Sequence, residues 1–280
     1  MYVGGGEAIM LRWAYSVYGL ALLGCVLASG AVKAQSGDAN LAQELSNPVG
    51  PLITVPFQFN YDARIGSARD GERAYVNFQP VVPMSLNSDW TLISRTIVPL
   101  ISQRDIFPGA GDQTGFGDIT QSFFFSPKAP GPGGIIWGVG PVFLLPSNSH
   151  PFLSTEKWGA GTTAVALIQN SGWTVGVLAN HIWSFAGDET RADVSATFVQ
   201  PFISYTTPDA WTYALTMESS YDWTAEQWSV PVNFVVSKLV QFGHQPVSLG
   251  VGVRYWAEGP ETGPHDLGAR ANITFLFPAK

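Results

Sequence analysis

The sequence predicts an all-β chain: a transmembrane up-and-down antiparallel β-barrel of about 12 strands, preceded by a signal peptide. Three observations predict it. Segments of ten to fifteen residues follow one another with a period of two, the connections between them alternate in length, and the composition is apolar yet finely interrupted. Charged residues are 12% of the chain, about half the usual share of a soluble domain, while Gly 30, Pro 20, Trp 10, Phe 17 and Tyr 9 make it rich in turn formers and aromatics. A mean hydropathy of +0.13 is too low for a bundle of membrane helices.

Residues 1–34 read as a secretory signal peptide that is removed. Arg12 precedes an apolar run from Trp13 to Ala28, and Val32 and Ala34 form a small-residue cleavage site, with Met10 a second candidate start. The run is short for a membrane anchor, and the cleavage site argues for removal. "LLGC" resembles the box before a lipidated cysteine, although the residues after Cys25 still look like the end of a signal. Cleavage after Ala34 removes the chain's one cysteine, so disulfides and thiol chemistry are excluded. It leaves 12 basic and 20 acidic side chains, a net charge of −8 with no basic patch, which argues against nucleic acid as a partner.

Residues 35–51 form a polar periplasmic lead, and residues 52–280 the barrel. The strands are expected at roughly 52–62, 74–86, 90–101, 115–127, 135–146, 158–169, 173–185, 193–206, 211–223, 228–240, 246–257 and 267–277. In "WTYALTMESSYDW", residues 211–223, Trp211, Tyr213, Leu215, Met217, Tyr221 and Trp223 alternate with small or acidic residues. "VSLGVGVRYW" and "WSVPVNFVV" alternate as clearly; "QSFFFSP" and "TLISRTIVPL" do so poorly. Connections such as "SQRDIFPGAGDQTG" and "PSNSHPFLSTEK" fall at one end, and "LNSD", "QNSG", "TPDA" and "FGHQ" at the other, with "PKAPGPGG" the long exception. Long loops outside, short turns and both termini on the periplasmic side is the outer-membrane pattern.

A soluble barrel would turn its apolar residues inward and carry Lys and Glu outside, whereas the second face here is Gly, Ser, Thr and Ala. A closed barrel of 12 strands is also wider than the roughly eight whose interior side chains can fill. A soluble β-sandwich would need the same missing charged face. Trp90, Trp173 and Trp211 follow tight turns and Trp158, Trp223 and Trp228 flank longer loops, as two membrane-interface belts require, while Trp137 is expected mid-strand.

"NPVGPLITVPFQFNYD", "GFGDITQSFFFSP", "ANHIWSFAGD", "YDWTAEQWSVPVN" and "VGVRYWAEGP" together resemble the outer-membrane transporter family associated with meta-pathway phenol degradation, over nearly the whole chain after residue 34. The resemblance implies an outer-membrane barrel that moves aromatic or other hydrophobic compounds, handled by outer-membrane lipids and the barrel assembly machinery. Barrels of this kind usually end on an aromatic residue; here Phe277 stands three residues short of the end.

Parity places Glu218 and Asp222 inward on the ninth strand, Arg254 on the eleventh and Arg270 on the twelfth, with Arg95 and Asp118 from strands of less clean alternation. Glu218 and Arg254 are candidates for a charged constriction, against the alternative of a structural ion pair that satisfies buried charges. A lipid-modifying enzyme would need a hydroxyl and an imidazole on one face; "HIWS" sets His181 and Ser184 three apart, on opposite faces of a strand. His150, His244 and His265 lie in loops and turns. There is no H-E-x-x-H, P-loop, dinucleotide fingerprint or calcium-loop spacing, so no metal or cofactor is expected, and Gly138, Gly140, Gly159, Gly161, Gly250 and Gly252 read as small lumen residues or kinks. No energy-coupling motif is present. The expected function is passive passage of small hydrophobic or aromatic molecules, with an occluded structural or lipid-interacting barrel and a lipid-modifying enzyme as alternatives.

Overall fold

The computed structural model describes residues 36–278; the expected signal peptide and Cys25 lie outside them. A short helix, α1 (Ser36–Glu44), is followed by 12 antiparallel barrel strands. They are β1 (Leu52–Ile65), β2 (Gly71–Phe78 and Val81–Ser85), β3 (Trp90–Arg104), β4 (Asp112–Phe116 and Ile119–Pro127), β5 (Ile136–Leu145) and β6 (Lys157–Asn170). They continue with β7 (Trp173–Gly187), β8 (Ser195–Thr206), β9 (Trp211–Met217 and Ser219–Asp222), β10 (Gln227–Phe242), β11 (Gln245–Glu258) and β12 (Asp266–Pro278). Each strand pairs with its successor, and β12 pairs with β1 from Leu52↔Pro278 to Tyr61↔Ala269, so the sheet closes on itself and leaves no edge.

The turns follow from their residues. Ser171 and Gly172 both have positive φ, 49° and 84°, in the two-residue hairpin between β6 and β7, and Gly243 (φ 63°) opens the equally short turn before β11. At Gly161 the reason is proximity instead: a Cβ there would come within 1.7 Å of the His181 carbonyl oxygen on β7. That requirement, more than a lumen-facing position, explains this glycine.

Three strands are broken, and each break lies across from a proline of a neighbouring strand. Gln79 donates its N–H to the carbonyl of Pro56, Gly117 to that of Pro99 and Glu218 to that of Pro231. A proline returns no N–H, so one rung of the ladder is lost; the register runs on unchanged through the breaks at Gln79 and Glu218 and shifts by one residue at Gly117. The break in β9 falls at Glu218 itself.

Alternation sorts the side chains. Phe185, Leu267, Val253 and Phe234 stand open on the outside, an exterior that water would not favour and lipid would. Trp90 packs edge-on against Trp137 at 5.8 Å, and Trp173 lies 4.9 Å from Tyr205, at the turn end of the barrel. Trp137, expected mid-strand, is therefore part of this belt, because β5 begins only at Ile136. Trp211 completes it, with the Lys238 ammonium 5.1 Å above its ring. At the loop end, Trp158 is half-exposed, and Tyr221 joins Trp223 and Trp228 at 4.9 and 5.0 Å.

The lead is not a loose tail. Leu41, Ala42 and Leu45 pack against Leu52, Ala210, Leu239 and Leu276 at the turn end. Gln169 donates to the Gln43 carbonyl at 2.8 Å and Gln241 to Asp38 at 2.7 Å. Beyond the helix, Val49 reaches an apolar wall of Ile93, Phe124, Val165, Leu167 and Leu178 inside the barrel.

Candidate functional site: a charged layer across the lumen

Opposite that apolar wall the lumen is polar. Along β1, Gln58, Asn60 and Asp62 face inward between the outward Phe57, Phe59 and Tyr61, and along β2 Arg73, Tyr75 and Asn77 do so between Ala74, Val76 and Phe78. These meet Arg95 of β3, Glu218 of β9, Arg254 and Trp256 of β11 and Arg270 of β12.

Glu218, opposite Pro231, keeps the inward parity of its strand, and its carboxylate takes a two-pronged bond from Arg270, 2.7 Å from Nη1 to Oε1 and 2.8 Å from Nη2 to Oε2. Two strands, β10 and β11, separate these partners, so the contact reaches across the lumen rather than along the sheet. Arg254 Nη1 lies 3.8 Å from Glu218 and its Nε 3.3 Å from Asp62. It also donates to the Tyr75 hydroxyl at 2.7 Å and stacks on Trp256, whose indole N–H donates to Asp62 at 2.9 Å. Asn60 Oδ1 accepts from Arg270 Nε at 2.8 Å. The guanidinium groups of Arg254 and Arg270 are almost fully buried, with side-chain exposures of 6% and 3%. Charges withdrawn from water this far persist because partners surround them. Arg95 donates to Gln79 at 3.0 Å and Arg73 to Gln103 at 2.9 Å.

The layer divides two cavities. On the loop side a cavity of about 440 Å³ is lined by Asp62, Arg73, Tyr75 and Trp256 with residues of the 259–265 loop. On the turn side a cavity of about 300 Å³ is lined by Arg95, Glu218 and Arg270, by Leu178 and Phe202, and by Glu44 to Pro48 of the lead. Arg254 lines neither and stands between them. Burial raises the pKa of the Glu44 carboxyl above its ordinary value.

Three of the six charged residues expected in the lumen thus meet, Glu218, Arg254 and Arg270, and Arg95 lines the same cavity as Glu218 and Arg270. Two do neither. Asp222 is exposed at the rim, where its carboxylate accepts the N–H groups of Thr224 and Ala225 and shapes the β9–β10 turn. Asp118 accepts from the Ser154 hydroxyl and from Thr155 N and Oγ1, both at 2.7 Å, so its charge ties down the loop between β5 and β6. The next side of that loop is held by Arg191, which donates to the carbonyls of Pro151 and Ser154. Asp62, Arg73, Tyr75 and Trp256 were not expected. The alternation of "QFNYDAR" and "ERAYVNF" carries the signal that places the β1 and β2 members inward.

His181 lies on the outer face, bonded to Thr197 at 2.7 Å, while Ser184 bonds Asp193 at 3.2 Å, so the two ends of "HIWS" do not meet. Among the described residues no group of three or more His, Cys, Asp and Glu is placed to hold a metal ion.

With this geometry in view, comparison with known proteins bears on the fold. No protein-family model matches the chain, and no curated protein matches it in sequence. Among solved structures it is similar to the COG4313 outer membrane channel from Pseudomonas putida F1, at a TM-score of 0.62 and 14% identity, covering 81% of this chain and 96% of that one. At that identity the likeness shows the fold: a closed antiparallel barrel of the outer-membrane kind. The KdgM porin (TM-score 0.44, 10% identity, 80% and 99% covered) and outer membrane phospholipase A from Escherichia coli (0.46, 10%, 82% and 99%) are more distant, and neither likeness bears on function. None of these matches links the chain to phenol degradation.

Proposed function

We propose that the protein is an outer-membrane channel for the passive passage of small solutes, hydrophobic and aromatic ones among them, and that it is not an enzyme. One observation carries this reading: two cavities lie end to end in the lumen, divided by a single layer of side chains. Side-chain rotation in the layer would join the cavities without breaking the sheet, because Glu218 and the arginines meet through long side chains. The lead at the turn end acts as the second closure, held by a small apolar contact and a few hydrogen bonds.

Conductance of the folded chain in a planar bilayer tests the reading: discrete current steps support it. The filled turn end favours a second reading, an occluded structural barrel, and a demonstrably folded but silent protein would favour that instead.

A further inference from the structure

Four guanidinium groups stand in the lumen, and two of them have carboxylates. Arg254 pairs with both Glu218 and Asp62, and Arg270 with Glu218. Among the described residues neither Arg95 nor Arg73 forms an ion pair; each donates to a single neutral amide, Gln79 and Gln103 respectively. A guanidinium has five N–H donors, so both keep most of theirs unused. The two also lie on opposite sides of the layer, Arg73 on the loop-side cavity and Arg95 on the turn-side one.

The turn-side cavity has a matching apolar half. Val81, Leu178 and Phe202 line it together with Arg95, and Leu178 belongs to the wall on which Val81 and Phe202 pack. About 300 Å³ lies at the lower end of small-molecule sites, room for a solute of one ring. Of its two carboxylates, Glu218 is already held by Arg270, and Glu44 stands on the docked lead with no ion pair to Arg95 among the described residues. The remaining polar demand in the cavity is for an anion, next to a surface that favours carbon.

We infer that the turn-side cavity binds a small amphiphilic monoanion, an aromatic or short-chain carboxylate, with its carboxylate on Arg95 and its apolar body against Val81, Leu178 and Phe202. Arg73 is the corresponding station on the other side of the layer, where an arriving anion first meets a guanidinium that forms no ion pair. Between the two stations, an anion crosses by replacing the Glu218 carboxylate on Arg254 and Arg270, an exchange of one carboxylate for another. This deepens the channel reading and rests on it for its meaning in transport, but binding at Arg95 is measurable without it.

The test titrates the detergent-folded protein, lead included, with sodium benzoate and with benzyl alcohol, its neutral counterpart, by isothermal calorimetry. Benzoate binds at least about tenfold more tightly than the alcohol, because a charge-assisted bond distinguishes them. Arg95→Gln removes that preference, Arg95→Lys restores part of it, and Arg73→Gln leaves the site occupied. Equal binding of the two solutes by the wild-type protein overturns the inference without any variant, as does undiminished benzoate affinity in folded Arg95→Gln. Current in a potassium chloride bilayer is recorded on the same preparation. Current without benzoate binding removes the site and leaves the channel; benzoate binding without current keeps the site and removes the channel.

Discussion

Replacing Glu218 with alanine probes the layer most sharply. The change removes two bonds of 2.7 and 2.8 Å to Arg270 and an ionic contact of 3.8 Å to Arg254, and leaves both guanidiniums buried. Taking one partner from a buried pair costs about 3–5 kcal/mol. Here Asn60 still accepts from the arginines, Asp62 still stands 3.3 Å from Arg254 Nε, and the cavity beside Glu218 admits water, so the lower end, about 3 kcal/mol, is expected. That is more than a hundredfold in the folding equilibrium, at about 1.4 kcal/mol per factor of ten. Equilibrium unfolding by denaturant in detergent micelles reads it as a fall in the midpoint at constant slope. Arg270→Ala together with Glu218→Ala costs less than the sum of the single changes, since no uncompensated Arg270 remains. In bilayers the single Glu218→Ala variant passes more current and prefers anions more strongly, because the layer loses a negative charge. Unchanged stability would refute the account of the buried pair. Lost stability with identical current would show that these residues hold the barrel together and do not control passage.

Three further outcomes follow from other parts of the fold. Gly161→Ala forces a Cβ into the His181 carbonyl and destabilises the barrel by about 1–3 kcal/mol, read by denaturant midpoint, whereas alanine at Gly109, which has open space around it, costs less even at its positive φ. The Glu44 carboxyl, raised by burial, binds its proton more tightly when the lead is docked, so docking is favoured at acid pH and weakens as pH rises through the raised value. Channel opening accordingly becomes more frequent from acid toward neutral pH, and Glu44→Gln flattens that dependence. Asp118→Ala releases the loop between β5 and β6, which limited proteolysis detects as faster cleavage between residues 146 and 156, with little change in the barrel core.

Much of this architecture was legible in the sequence because the barrel repeats one simple rule. Period two survives wherever one face meets lipid and the other the lumen, so Trp211 to Met217 and Val247 to Tyr255 declare their orientation without help. The same parity places Glu218, Arg254 and Arg270 inward. What it cannot carry is which inward residues meet across the lumen: Glu218 and Arg270 lie 52 residues and two intervening strands apart, and their contact depends on barrel closure. Asp118 and Asp222 have inward parity too, yet they sit where strands give way to loops, and nearby backbone N–H and hydroxyl groups claim them. Packing of the lead was equally illegible, since α1 is nine residues with a weak apolar face that gains meaning only against Ala210 and Leu239.

The central claim is that solute passes through the lumen and that the charged layer controls the passage. Arg254 stands between the cavities and borders neither, so single-channel current from folded Arg254→Ala, compared with the wild type in the same bilayer, tests the claim most directly. Larger current steps in the variant are the predicted result. Equal steps from two folded barrels would contradict it and put the ion path outside the layer.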